Sequence, residues 1–164
     1  MRVAVISDTH LPHFAGRLDE ALRRIAAERP DLILHCGDLT TLEATAAFER
    51  IAPVEAVAGN NDGPEIVRRY GRRKIVACGS RRIGMVHGDG TNGTTLGRAL
   101  AAFANETVDA IAFGHSHIPY LKEHDGVIVV NPGSITDKRR QPHYSFALLD
   151  IDAAGALSAR IESF

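Results

Sequence analysis

Residues 2–10, Arg2-Val3-Ala4-Val5-Ile6-Ser7-Asp8-Thr9-His10, decide the fold class. A short apolar run broken abruptly by polar residues reads as a buried strand over 2–7 with a turn behind it. Leu18, Ala21, Leu22, Ile25 and Ala26 then recur at a helical period, and Pro30 ends that helix. Leu32-Ile33-Leu34 reads as a second buried strand, closed by Cys36-Gly37-Asp38. Thr40-Thr41-Leu42-Glu43 fits a capping box, with Thr40 and Glu43 satisfying free backbone donors of a helix over about 41–50. Val54 to Ala58 is a third strand, stopped by the turn cluster Gly59-Asn60-Asn61-Asp62-Gly63. Strand-helix-strand-helix-strand implies parallel strands joined by right-handed crossovers.

Farther along, Arg82–His87 and Ala110–Phe113 read as strands, and Leu96, Leu100 and Phe103 between them line one helical face. Beyond 117 the pattern is strand-rich, over Pro119–Glu123, Val127–Val130, Tyr144–Ile151 and Leu157–Ile161. Asp125-Gly126 is a hairpin turn between two of these. The reading is one α/β domain over 1–164 with a largely antiparallel second half.

Composition narrows the function classes. The 164 residues suit one domain. They are 45% hydrophobic and 24% charged, which argues against disorder. Nineteen basic against 20 acidic residues leave a net charge of −1. That argues against a global basic field and against stable nucleic-acid binding. No apolar run is long enough for a membrane span, and the start is too short for a secretory signal. Two cysteines without CxxC spacing exclude a disulfide framework, so a cytoplasmic setting is expected. Cys36 and Cys78 read as buried inert thiols. Arg68-Arg69, Arg72-Arg73-Lys74 and Arg81-Arg82 read as a solvated face, with a phosphate-steering rim as the alternative.

The unusual feature is eight histidines and where some of them fall. Asp8 and His10 follow the first strand, Asp38 the second, and Asn60 and Asp62 the third. His87 follows a later strand, and His115 and His117 another. Ligands in α/β sheets bind beyond the carboxyl ends of strands, so these residues should converge. With 11 Asp and 8 His, Asp-x-His or His-x-His alone means little. Five such elements in order, each abutting a strand, mean much more. Side chains at i and i+2 of an extended segment point the same way, so Asp8 and His10 could meet one ion. His115 and His117 could each serve a different ion of a close pair. Asp38 is the natural bridging carboxylate. The glycines before Asp38, Asn60 and His115 allow close backbone approach. His35 reads as a core histidine, and His13, His124 and His143 as surface residues.

Asp8-x-His10, Gly37-Asp38, Gly59-Asn60-Asn61-Asp62, His87-Gly88 and Gly114-His115-Ser116-His117 together resemble the calcineurin-like metallophosphoesterase superfamily. Asn131-Pro132-Gly133-Ser134 and the compact length are similar to its small single-domain phosphodiesterase branch. The resemblance runs from residue 2 to about 150. It implies a four-layer α/β/β/α sandwich of two mixed sheets flanked by helices. It also implies two divalent metal ions, the first held by Asp8, His10, Asp38 and His117, the second by Asp38, Asn60, His87 and His115. The implied reaction is phosphodiester hydrolysis by a hydroxide bridging the two cations, with Asn60 also contacting a phosphoryl oxygen. Manganese or nickel is implied for this branch. Imidazole, carboxylate and carboxamide donors without thiolate suit iron, zinc or cobalt as well.

Two positions depart from the superfamily pattern. Asn61 stands where a histidine often assists the leaving group, and a carboxamide is no general acid near neutral pH. Asp89 stands where the branch often has a second histidine. His13 is the candidate replacement acid, and Asp62 a candidate for orienting a ligand. The expected partner is a small phosphoester substrate, with a homo-oligomer left open. The competing reading is a non-catalytic metal-binding scaffold for protein contacts, as in a eukaryotic retromer subunit of this branch.

Overall fold

A computed structural model describes residues 1–164. Strand β1 (Arg2–Ile6) pairs in parallel with β2 (Leu32–His35), which pairs in parallel with β3 (Val54–Ala56). Helix α1 (Ala15–Ala27) connects the first pair and α2 (Glu43–Glu49) the second. Two late strands, β9 (Ser145–Ile151) and β10 (Leu157–Ser163), return to the other side of β1, giving the order β10-β9-β1-β2-β3. The second sheet holds β4 (Arg73–Cys78), β5 (Arg81–Val86), β6 (Ala110–Phe113), β7 (Tyr120–His124) and β8 (Val127–Asn131), in the order β4-β5-β6-β8-β7.

Alternation along β1 explains the layering. Val3 and Val5 join Leu32, Leu34, Ile83, Met85, Ala112, Val130 and Leu149 in a core between the sheets. Ala4 and Ile6 face outward under α1 and α2, against Ala21, Ile25 and Phe48. On the far side of the second sheet, α4 (Thr95–Ala102) is followed by Phe103, which packs with Ile111, Phe113 and Val129. The result is the α/β/β/α sandwich, with two five-stranded mixed sheets.

The second half is largely antiparallel, in the pairs β4–β5, β7–β8, β1–β9 and β9–β10, with β5, β6 and β8 as parallel neighbours. Two readings need correction. The capping box does not form: Leu42 is the N-cap of α2, with no side-chain cap. Thr40 has a left-handed backbone, φ 69°, and its hydroxyl donates to the Leu11 and Leu39 carbonyls. The basic stretch conceals two elements, α3 (Pro64–Tyr70) and edge strand β4. Its cations lie mostly on a solvated face, in pairs such as Arg69–Glu49, Arg73–Glu106 and Lys74–Glu55. Arg72 instead donates to the Gly59 carbonyl.

Parallel pairing is what positions the site. Because β1, β2 and β3 run together, the segments after them open at one edge. The segments after β5, β6 and β8 do the same in the second sheet.

Candidate metal centre

Five of the expected residues meet in one buried cluster. Asp8, His10 and His117 form one triad of potential ligands, and Asp8, Asp38 and His87 a second. His117 Nε2 is 3.3 Å from Asp8 Oδ1, and His87 Nε2 is 3.3 Å from Asp38 Oδ2. His10 Nε2 lies 3.8 Å from Asp8 Oδ1 and 3.7 Å from Asp38 Oδ2. Asp8 is common to both triads, and Asp38 Oδ2 also lies between them, 3.7 Å from His10 Nε2 and 3.3 Å from His87 Nε2. His115 belongs to neither triad, but its ring packs edge-on against His87 at 5.2 Å. Asn60 and His13 are exposed and belong to neither triad.

The backbone around the cluster is not extended. Asp8, His10, Asp38, His115 and His117 all have positive φ, between 46° and 67°. Asp and His adopt this region more readily than most residues, yet each instance still carries strain. The convergence of Asp8 with His10 therefore comes from a left-handed turn, not from strand alternation. Two glycines admit the close approach. A β-carbon on Gly59 would lie 2.2 Å from Asp38 Oδ1, and one on Gly114 would lie 1.9 Å from Ser7 Oγ.

A web of hydrogen bonds holds the donors. The His115 N–H donates to Asp8 Oδ2 at 3.0 Å, leaving Oδ1 toward the histidines. Asn61 donates to both oxygens of Asp38, from its backbone at 2.9 Å and its carboxamide at 2.7 Å. Asp62 is no mere turn residue. Its carboxylate accepts from the backbone N–H groups of Asp38, Gly59 and Thr40, tying the segment after β3 to the one after β2. The Asn131 carboxamide donates to Gly114 O and Ser116 Oγ, bracing the histidine loop. Ser134, of the Asn131–Ser134 motif, and Thr136, which the sequence did not single out, donate to the Asp8 and Thr9 carbonyls. His117 Nδ1 is 2.5 Å from the carbonyl of Asp137, another residue without a sequence signal. A carbonyl there requires an N–H on Nδ1, so Nε2 turns to the cluster.

Charge coupling is strong. Burial opposes protonation of His87, but Asp38 and Asp8 override it and raise its pKa to about 9. His117 is raised for the same reason, chiefly by Asp8 against its burial. Burial works to raise Asp8 and Asp38, yet His117 and His87 hold both carboxyls below the ordinary range. His10 and His115 are lowered, chiefly by burial. Burial also raises Asp62 despite its three N–H donors.

The donor set fits divalent cations. Asp8 Oδ1 and His87 Nε2 are two of three buried side-chain polar atoms lacking any hydrogen-bond partner, the third being Ser7 Oγ. Buried polar atoms are normally satisfied, so two orphans within one Asp/His cluster point to an ion as the missing partner. Two triads sharing a carboxylate are consistent with a dinuclear site. Cys36 and Cys78 are buried thiols with raised pKa values, outside both triads. His35 is a core residue, as its strand position suggests.

Comparison with known proteins agrees with this geometry. A probable metallophosphoesterase of Methanothermobacter thermautotrophicus is 38% identical over 149 residues, covering 85% of this chain and 80% of the relative. A phosphodiesterase of Methanocaldococcus jannaschii is 26% identical over 147 residues, covering 81% and 83%. The zinc complex of Vps29 from Entamoeba histolytica superposes with a TM-score of 0.71 at 25% identity, over 99% of each chain. Residues 1–154 match the calcineurin-like phosphoesterase superfamily domain, and the chain belongs to that superfamily, in its small archaeal phosphodiesterase and Vps29-like branch.

Proposed function

We propose that this protein is a metal-dependent phosphodiesterase acting on a small phosphodiester. The observation that carries the reading is the pair of Asp/His triads sharing Asp8, with Asp8 Oδ1 and His87 Nε2 otherwise unpartnered. Asp8, His10, Asp38, His87 and His117 would hold two divalent cations, with His115 and Asn60 completing the set at the rim. Manganese or nickel is the favoured load, and the nitrogen and oxygen donors also accept iron, cobalt or zinc. Bound there, such ions supply Lewis acidity toward a phosphoryl oxygen and lower the pKa of a water.

The chain's own residues do the rest. Asp62 and Asn61 fix Asp38, and Asp137 fixes the ring of His117. A water oxygen forms a bond to phosphorus as the bond to one ester oxygen breaks, giving a phosphomonoester and an alcohol. Neither Asn60 nor Asn61 can protonate that leaving oxygen, so cleavage depends on the leaving group's own acidity.

The test is metal analysis of the purified protein joined to assays of bis(p-nitrophenyl) phosphate and p-nitrophenyl phosphate under several divalent ions. Metal near two equivalents with turnover of the diester above the monoester is the expected result. Full metal content without hydrolysis of either ester would favour the scaffold reading.

A further inference from the structure

We propose that the cleft between the start of α1 and the 136–144 segment is a subsite for a second phosphoryl group, carried on one ester arm of the substrate. This rests on the phosphodiesterase reading above. The cleft has a volume of about 440 Å³, within the roughly 300–1,000 Å³ usual for small-molecule sites. Two of its lining residues touch histidines of the metal centre. Phe14 lines it and packs edge-on against the His10 ring, centroids 6.4 Å apart. Asp137 lines it and contacts His117 Nδ1 through its carbonyl. The proposal places one arm of an ester held at the triads in this neighbouring cleft.

The lining is cationic and aromatic. Arg17, Lys138 and Arg139 face a single carboxylate, Asp137. That carboxylate is already engaged by the Arg139 backbone N–H and lies 3.8 Å from the Arg139 guanidinium. The Lys138 ammonium donates to a neutral carbonyl, Gln141 O. The Arg17 guanidinium has only a long, exposed contact of 4.0 Å with Glu20. Both Lys138 and Arg17 lie against the Tyr144 ring, at 5.8 and 5.4 Å from its centroid. The first turn of α1 adds no acid. Two cations on one ring, a third beside it and no free carboxylate suit a phosphoryl group, whose oxygens accept from guanidinium and ammonium alike. Phe14, an exposed aromatic, offers an apolar face for a ring joining the two phosphates. His13 also lines this cleft.

The probes are p-nitrophenyl thymidine 5′-phosphate and the same ester bearing a 3′-phosphate. With the manganese-loaded protein, kcat/KM should favour the 3′-phosphorylated ester by about 10-fold or more, the effect of one charge-assisted contact. Lys138→Gln and Arg139→Gln should each pull that ratio toward one, mainly through KM, and Arg139→Lys should restore part of it. A second readout is calorimetric binding of thymidine 3′,5′-bisphosphate to metal-free protein. It should weaken about 10-fold in each Gln variant and in high salt. A wild-type ratio of one, or a ratio and a bisphosphate affinity unmoved by the substitutions, overturns the subsite. If neither ester is hydrolysed under any divalent ion, the phosphodiesterase reading fails instead, and bisphosphate binding alone then decides the subsite.

Discussion

Acid should unfold this protein through His35 in particular. The side chain is fully buried at the end of β2. Its Nδ1 accepts from the Gly37 N–H at 3.2 Å, so Nε2 carries the proton and faces Thr9 Oγ1, also at 3.2 Å. A second proton on Nδ1 would set two N–H groups against each other in the interior. Burial accordingly lowers the pKa from 6.5 to about 3. The unfolded chain takes up this proton near pH 6.5 and the folded chain does not, so the contribution is complete above 6.5 and drains away as pH falls toward 3. Between pH 7 and 4.5 that difference is worth about 2.6 kcal/mol, at 1.36 kcal/mol per pH unit. The assay is urea unfolding of metal-free wild type and His35→Gln at both pH values. Wild type should lose about 2.6 kcal/mol more than the variant, which has no imidazole to charge. Equal losses within 0.5 kcal/mol, or an NMR titration of His35 with a midpoint above 5, would refute the reasoning.

Three further outcomes are expected. Gly114→Ala sets a β-carbon 1.9 Å from Ser7 Oγ and 2.8 Å from Asp8 Oδ2. It should cost about 1–3 kcal/mol of stability and weaken metal binding, seen in thermal unfolding and in metal titration. Metal uptake should release about one proton at pH 8, because His87 is protonated in the metal-free protein, with a pKa of about 9, and must be neutral to bind. Calorimetry in buffers of different ionisation enthalpy measures the release, and zero protons would contradict it. Aryl phosphodiesters should be cleaved far faster than alkyl ones, giving a steep plot of log rate against leaving-group pKa that Asn61→His flattens. A flat wild-type plot would show that some group does protonate the leaving oxygen.

Much of the site was legible because apolar runs announce strands and polar residues announce where they stop. Asp8, Asp38, His87 and His117 were all readable at strand ends, and parallel pairing brought them together. Seven-residue α3 was not readable, since it is too short to show a period and buries only Ile66. Edge strand β4 was hidden by Arg73 and Lys74, which an edge tolerates because one side faces water. The Thr40–Glu43 box was a sound local motif that lost to tertiary contacts, with the Thr40 N–H taken by Asp62 and its hydroxyl by Leu11 and Leu39.

An α/β domain that opens on parallel strands, and a set of polar side chains at the strand ends, were legible in the residues alone, while the four-layer sandwich was implied by the family resemblance. Hydrophobic period and chain order are local properties, and both are written in the residues. Tertiary contacts alone put Asp8 in both triads, Asn61 on Asp38, and the Asp137 carbonyl on His117 from 20 residues away. Those outcomes depend on left-handed turns and on backbone carbonyls and N–H groups, which every residue possesses and no side-chain pattern reveals.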